Sequence, residues 1–188
     1  LLQTESLFKE GKHTKGNTKA EAVMLLNHQA ALDYVLNKPD YFRELTVQKI
    51  LEIHRFLTKG LGIPNKIRAG RVGITGTNYK PLAKANQIQK ALQDLCDLIN
   101  SKRNVLEKAF IALLLIAYIQ PFEDGNKRTA RIICNALLLP NKYCPISFRT
   151  VEPEDYRYAT LLFYEQNSIP SFKKIFMEQL EFSTANCF

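Results

Sequence analysis

Two neighbouring segments, residues 105–119 and 127–139, are apolar nearly all the way round a helix. Helices of this kind have no polar face for solvent, so both should lie in the centre of a packed core. The longest unbroken apolar run, 109–119, has 11 residues, whereas a bilayer-spanning helix needs about 20. The pair therefore predicts a buried core rather than a membrane span, with the turn QPFEDGN (120–126) between the two helices.

Helical spacing of apolar residues continues through most of the chain, and its 188 residues suit one compact domain. The one β signal is 71–81, where Val72, Ile74 and Tyr79 flank TGTN as in a short hairpin. The sequence thus predicts a mainly α domain over 20–188, preceded by an N-terminal segment, 1–19. Further helices are expected near 20–36, 46–58, 85–100, 153–166 and 171–182.

The net charge is +8, but the basic residues are scattered and form no Arg-rich run. No nucleic-acid partner is expected, whereas small polyanions such as nucleotides are favoured. The N-terminus lacks the basic-then-apolar order of a signal peptide, so a cytoplasmic protein with no membrane contact is expected. The oligomeric state is left open. The cysteines show no CxxC spacing, which predicts four reduced thiols: Cys96, Cys134, Cys144 and Cys187.

The turn between the central helices is dense in polar chemistry. A helix N-terminus offers free backbone amides, and Gly125 lets the backbone approach an anion closely. Arg128 and Arg131 lie three residues apart, so both guanidinium groups can share one side of the helix and bind phosphate oxygens. Asp124, or alternatively Glu123, can share Mg²⁺ with such phosphates. The combination predicts a di- or triphosphate site; the alternative is a capping Asp124 with surface ion pairs.

This stretch resembles the signature of the Fic family, His-Pro-Phe-x-(Asp/Glu)-Gly-Asn-(Gly/Lys)-Arg-x-x-Arg. Every position after the first matches PFEDGNKRTAR (121–131). Other family segments occur in the same order, and the resemblance covers about residues 20–182. Those segments are IHRFLTKGL (53–61), IRAGRVGITGTNYKP (67–81) and CPISFRTVEPEDY (144–156).

The resemblance implies an all-helical domain with a small β-hairpin flap. It also implies transfer of AMP from ATP to a Ser, Thr or Tyr hydroxyl of a target protein. By position, Asp124 is expected to hold Mg²⁺, Asn126 and Arg128 to contact the α- and β-phosphates, and Arg131 the γ-phosphate. Gly125 is expected to give close backbone approach.

The flap corresponds to residues 71–81. In the family it positions the target segment by strand-like main-chain pairing, and Thr75, Gly76 and Thr77 fall within it. Arg68, just before the flap, is expected either to brace it or to contact the ligand. Phe122 is expected to anchor the turn in the core.

Gln120 stands where the family has its histidine, the general base that takes the proton from the attacking hydroxyl. A carboxamide is not basic enough for this at neutral pH, and loss of a general base costs roughly 10²–10⁴-fold in rate. Gln120 retains the ability to orient the hydroxyl, so the expected catalytic set is Gln120, Asp124 and Arg128. The chain is then a slow enzyme, a catalytically silent nucleotide-binding regulatory module, or an inactivated form. His54 is expected to be a packed histidine rather than a substitute base.

Lys127 occupies the position where many relatives have a second glycine. The lysine is found in the Doc branch, some of whose members transfer a phosphoryl group. A Doc-like protein kinase is therefore an alternative to AMP transfer. Lys127 is included among the expected nucleotide-binding residues, although it can equally point away as an exposed helix residue.

The N-terminal sequence SLFKEG (6–11) resembles the family's inhibitory motif, (Ser/Thr)-x-x-x-Glu-(Gly/Asn). Ser6 and Glu10 lie one helical turn apart. The resemblance implies that Glu10 pairs with Arg131 and displaces the γ-phosphate. A plain short amphipathic helix is the alternative.

Overall fold

The computed structural model describes residues 19–186. Those residues form seven α-helices and two 3-10 turns, and no β-strand occurs among them. The mainly α prediction is confirmed, because each predicted helical segment corresponds to one helix. The helices are α1 Lys19–Asn37, α2 Val47–Thr58, α3 Ala85–Ser101, α4 Val105–Ile119, α5 Asn126–Leu138, α6 Pro153–Gln166 and α7 Pro170–Asn186, with 3-10 turns at Pro39–Phe42 and Leu139–Asn141.

The core is built around α4 and α5, which contact each other more extensively than any other pair of helices. The helices α1 and α2 pack on α5 and on each other, α3 packs on α4, and α6 pairs with α7. The two central helices are therefore covered on several sides, as the all-round apolar character of α4 requires, whereas α5 is amphipathic and carries Lys127, Arg128 and Arg131 in its first two turns. Their fully buried residues include Ala109, Ala112, Ile116, Ala130, Ile132, Ile133, Ala136 and Leu138.

Local sequence fixes where the central helices end. The Asn104 side chain caps α4 by accepting a hydrogen bond from the Glu107 amide at 3.1 Å. At the other end, Gln120 takes a left-handed conformation with φ +52°, and Pro121 cannot continue the helix. Gly125 then starts α5 from φ +82°, which a residue with a Cβ rarely adopts. The turn between the helices is thus held at both ends by the rigid centre of the fold.

The flap, residues 71–81, is not a β-hairpin, so that part of the fold prediction is wrong. Thr75 and Gly76 do form a turn, but the arms on either side do not pair with each other. The Asn78 amide instead donates to Oε1 of Glu165 at 3.2 Å, and the Tyr79 amide donates to Oγ1 of Thr77 at 3.0 Å. Side chains have taken the main-chain donors that a ladder would use.

Two further predictions concern the cysteines and the chain ends. Cys96 and Cys134 are buried free thiols, whereas Cys144 is disulfide-bonded. The expectation of reduced thiols is therefore wrong for Cys144. Ser6 and Glu10 lie outside the described residues. No helix between residues 19 and 186 is long and apolar enough to cross a membrane.

Candidate functional site

The turn between α4 and α5 is anchored by Phe122, which is fully buried. Its ring stacks on the imidazole of His54 with 3.7 Å between ring centroids. Nε2 of His54 lies 3.0 Å from the carbonyl oxygen of Asp124, and Nδ1 lies 3.0 Å from Oδ1 of Asn65. Burial lowers the pKa of His54, so the ring is neutral at neutral pH. The predictions of a core anchor and of a packed, hydrogen-bonded histidine are both confirmed.

Asn126 holds the turn together from inside. Its Oδ1 accepts from the Phe122 amide at 2.9 Å, and its Nδ2 donates to the Phe122 carbonyl and to Oε1 of Gln120, each at 2.9 Å. The residue is 5% exposed, and these bonds use both ends of its carboxamide. Its side chain therefore shapes the turn, and its backbone amide is the group left to meet a ligand.

The Gln120 side chain is engaged in the same network. Nε2 donates to the Ala117 carbonyl at 2.5 Å, while Oε1 accepts from Asn126. Gln120 is 9% exposed and borders the cavity described below. With both ends of its amide occupied, it serves as a brace of the turn, and a carboxamide supplies no basic nitrogen.

Arg68 connects the start of the flap to the end of α4. Its Nε donates to the Gln120 carbonyl at 2.6 Å and its Nη1 to the Gly70 carbonyl at 2.5 Å. The backbone amide of Arg68 also donates to the Pro121 carbonyl at 3.0 Å. The sequence allowed Arg68 either to brace the flap or to contact the ligand. At 1% exposure, Arg68 braces the flap.

The N-terminus of α5 offers backbone donors. The first intrahelical bond is from the Thr129 amide to the Gly125 carbonyl, at 2.8 Å. The amides of residues 126–128 precede it and have no acceptor within the described part of the chain. Gly125 has no side chain to cover them, and the local helix dipole favours negative charge. This end of α5 is therefore suited to an anion.

Cationic side chains surround these amides. Nη2 of Arg128 pairs with Oδ2 of Asp124 at 3.2 Å, and its buried Nη1 has no hydrogen-bond partner within residues 19–186. Lys127 is exposed beside it, and its pKa is lowered by partial burial and by the charges of Arg131 and Arg157. The residues predicted at 124, 127 and 128 thus come together in one place.

Arg131 lies one turn further along α5 and does not border the cavity. Its guanidinium carbon is 4.8 Å from the ring centre of Tyr156 and 5.4 Å from that of Phe148. Its buried Nε has no hydrogen-bond partner among the described residues. Burial, together with the charges of Arg131 and Arg128, lowers the pKa of His28 on α1.

A cavity of about 580 Å³ joins the motif turn to the flap and to α6. Thr75 borders it from the flap, whereas Gly76 and Thr77 do not. Sequence reasoning missed several of its residues, because contacts between distant segments leave no mark on helical periodicity. The missed residues are Arg157, Thr160 and Leu161 on α6, whereas Gly73 and Ile74 lie within the predicted flap but were not singled out as lining a site.

The fit of Mg²⁺ depends on Asp124. Its carboxylate borders the cavity and is 66% exposed even while paired with Arg128. No group of three or more His, Cys, Asp or Glu side chains able to hold a metal occurs among residues 19–186. A single carboxylate still fits Mg²⁺, which commonly takes its remaining ligands from phosphate oxygens and water.

The profile of the Fic/DOC family matches residues 44–138, 95 of the 188. The chain belongs to the Fic/DOC family. It is 27% identical over 172 residues to protein adenylyltransferase fic-1 of Caenorhabditis elegans, covering 86% of this chain and 32% of that protein. It is 29% identical over 164 residues to protein adenylyltransferase Fic of Nematostella vectensis, covering 83% and 38%. This Fic chain thus spans about a third of the length of those relatives.

Several solved structures share its fold. Fic-1 from Caenorhabditis elegans superposes with a TM-score of 0.82 at 23% identity, covering 98% of this chain and 56% of that one. A Fic family protein from Desulfovibrio desulfuricans gives 0.81 at 23% identity, covering 98% and 58%. BepC from Bartonella tribocorum, solved with bound AMPPNP, gives 0.61 at 17% identity, covering 81% and 85%.

Proposed function

We propose that this Fic domain binds ATP and transfers AMP from it to a Ser, Thr or Tyr hydroxyl of a target protein, at a rate limited by the missing base. The observation that carries the proposal is the cavity at the N-terminus of α5. Backbone amides that have no acceptor among residues 19–186 meet there with the side chains of Lys127 and Arg128. Such a site favours a polyphosphate, and the named relatives are protein adenylyltransferases.

In the proposed complex, the amides of residues 126–128 and Arg128 bind the α- and β-phosphates. Arg131 reaches the γ-phosphate, for which its stacked guanidinium must extend toward the cavity. Asp124 holds Mg²⁺, which supplies charge neutralisation when bound. To do so, the carboxylate loosens its 3.2 Å pair with Arg128, which frees the guanidinium for phosphate oxygens.

The reaction forms a bond from the target's hydroxyl oxygen to the α-phosphorus and breaks the bond to the bridging oxygen, so pyrophosphate leaves. Backbone amides and Arg128 stabilise the growing negative charge. The hydroxyl proton has no acceptor at residue 120, since both ends of the Gln120 carboxamide are hydrogen-bonded and an amide is not basic. The proton must pass to water, which makes this step slow.

The target segment is proposed to reach the cavity along the flap. Thr75 borders the cavity, and Thr77 follows the tip turn. Pairing through the main chain requires the flap to exchange its contacts with Glu165 and Thr77 for contacts with the target. Such pairing recognises any extended segment, so the flap does not determine which protein is the target.

Two other functions remain candidates. A catalytically silent nucleotide-binding module is favoured by the engaged Gln120 carboxamide. A Doc-like kinase is favoured by Lys127, which borders the cavity where the α-phosphate would otherwise lie. Transfer of label from γ-labelled rather than α-labelled ATP would identify the kinase.

The test of the proposed binding is calorimetry with ATP, with and without Mg²⁺. We expect binding that weakens when Mg²⁺ is removed and that weakens about tenfold or more in Arg128→Met, since a charge-assisted hydrogen bond contributes roughly 1.5–3 kcal/mol. Arg103→Met is the matched control, because Arg103 is exposed at the opposite end of α4 from the motif turn. Absence of ATP binding in the parent chain, or equal affinity in the two variants, would refute the proposed site.

A further inference from the structure

Arg157 lies on α6, in the cavity wall formed together with the motif turn and the flap. It is exposed, and none of the carboxylates in residues 19–186 forms an ion pair with it. Its charge acts on the ammonium group of Lys127 across the cavity. Two cations from different helices therefore border the same cavity, together with the carboxylates of Glu123 and Asp124.

The guanidinium of Arg157 also touches the flap tip. A Cβ built on Gly76 would lie 2.6 Å from Nη2 of Arg157, so only glycine permits this approach. Gly76 also has φ +87°, a conformation that residues with a Cβ rarely adopt. Eight residues along the same helix, Glu165 accepts a hydrogen bond from the Asn78 amide. The flap is thus held against α6 at two points, and Arg157 is the point that also borders the cavity.

We propose that Arg157 is a positioning residue that bridges the flap tip and the phosphates of a bound nucleoside polyphosphate. Phosphate binding fixes the guanidinium, and the fixed guanidinium stabilises the flap in the position where it receives a target segment. The bridge rests on the proposed nucleotide site. The bridge uses a residue outside the family signature, and it explains why the stability of the flap should depend on bound nucleotide.

The chemistry of arginine allows Arg157 to contact the flap and bind phosphate at the same time. A guanidinium carries five N–H donors in a planar fork, and the Arg157 side chain makes no hydrogen bond to any of the described residues. Contact with Gly76 is by packing, so the donors remain available for phosphate oxygens. Nucleotide binding should therefore depend on Arg157 more strongly as phosphates are added, and adenosine should not depend on it at all.

The first arm of the test is calorimetry with ATP, ADP, AMP and adenosine. Arg157→Met is expected to weaken ATP binding about tenfold, as expected for loss of one charge-assisted hydrogen bond, and to leave adenosine binding unchanged. Arg157→Lys should restore part of the affinity, because it keeps the charge and loses the fork. Arg103→Met, which removes the same charge far from the cavity, should bind ATP like the parent chain.

The second arm is hydrogen exchange of the flap amides, which reports flap stability directly. ATP should slow exchange over residues 74–79 in the parent chain and in Arg103→Met, but not in Arg157→Met. Gly76→Ala should weaken the response, since its Cβ would displace the guanidinium. Gly62→Ala is the matched control, because Gly62 also has positive φ, +71°, but open space around its Cβ.

The outcomes separate the two proposals. If the parent chain binds no nucleotide, the proposed function fails and the bridge fails with it. If the parent chain binds ATP but Arg157→Met matches Arg103→Met in affinity and in flap exchange, only the bridge is overturned. Weakened binding of adenosine by Arg157→Met would also overturn it, since the bridge acts through phosphate.

Discussion

Oε1 of Gln120 accepts a hydrogen bond from Nδ2 of Asn126 at 2.9 Å. The two residues lie at opposite ends of the turn between α4 and α5, and both are buried. The bond closes the turn over Phe122 and presents the amides of α5 to the cavity. Gln120 therefore has a structural role in addition to its position beside the proposed reaction site.

Asn126→Ala should destabilise the fold. The substitution leaves both backbone groups of Phe122 and Oε1 of Gln120 without partners, so we expect a loss of about 2–4 kcal/mol in the free energy of unfolding. Asn186→Ala is the control, because that exposed side chain makes one bond along its own helix; its loss should stay within about 0.5 kcal/mol. Equal losses in urea denaturation would contradict the role of Asn126.

Arg68→Lys should also be costly. Lysine keeps the charge but cannot reproduce the fork that reaches the Gln120 and Gly70 carbonyls together. We expect the free energy of unfolding to fall by about 2–4 kcal/mol, while the exposed control Arg103→Lys should change little. A stable Arg68→Lys protein would show that the flap and α4 do not depend on this brace.

Stability should fall in mild acid because of His54. Burial holds the pKa of His54 in the folded protein below the ordinary histidine value of about 6.5, so the unfolded chain takes up the proton first as pH falls. The stabilisation from a neutral His54 is thus present above about pH 6.5 and is lost as pH falls through the folded pKa. Each such histidine contributes a slope of at most ~1.4 kcal/mol per pH unit.

Denaturation of His54→Asn across this pH range checks the assignment. The variant should be less stable at neutral pH, and its stability should depend less on pH than that of the parent chain. His28 has a pKa lowered in the same direction, so part of the slope should remain. An unchanged slope in His54→Asn would assign the acid sensitivity to other groups.

Sequence reasoning obtained the helices because each has its own apolar pattern, as in α3, where Ile88, Leu92, Leu95 and Ile99 are all buried. It failed at the flap, where valine, isoleucine and tyrosine around a turn predicted a ladder. The arms pack instead on α4 and α6: Tyr79 stacks on Tyr118 with 4.3 Å between ring centroids.

The candidate site likewise contains residues that the sequence predicted and residues that it did not. Residues 120–131 were found because their chemistry is local to one turn. Arg157 was missed because its contact with Gly76 joins positions 81 residues apart, and nothing near Arg157 in the sequence marks it. The structural use of Gln120 and Asn126 was also missed, since a signature gives residue types but not which hydrogen bonds they make.

Glu10→Gly tests the proposed inhibitory segment, which lies outside the described residues. If Glu10 pairs with Arg131, removing it should free that guanidinium for the γ-phosphate and tighten ATP binding. AMP, which lacks that phosphate, should bind both proteins alike. Glu5→Gly is a matched charge control. Equal ATP affinities for the parent chain and Glu10→Gly in calorimetry would contradict the proposed pairing of Glu10 with Arg131.

The most direct test of the central claim compares Gln120 and Gln120→His, both carrying Glu10→Gly, for transfer of label from α-labelled ATP with Mg²⁺. The claim is that the motif turn binds ATP for AMP transfer but lacks a proton acceptor. Because the substitution breaks the hydrogen bond to Asn126, circular dichroism is used to check that both proteins are folded. We predict that histidine raises the rate of labelling by about 10²–10⁴-fold. A folded, ATP-binding Gln120→His protein that transfers no label, or transfers it no faster, would contradict the account.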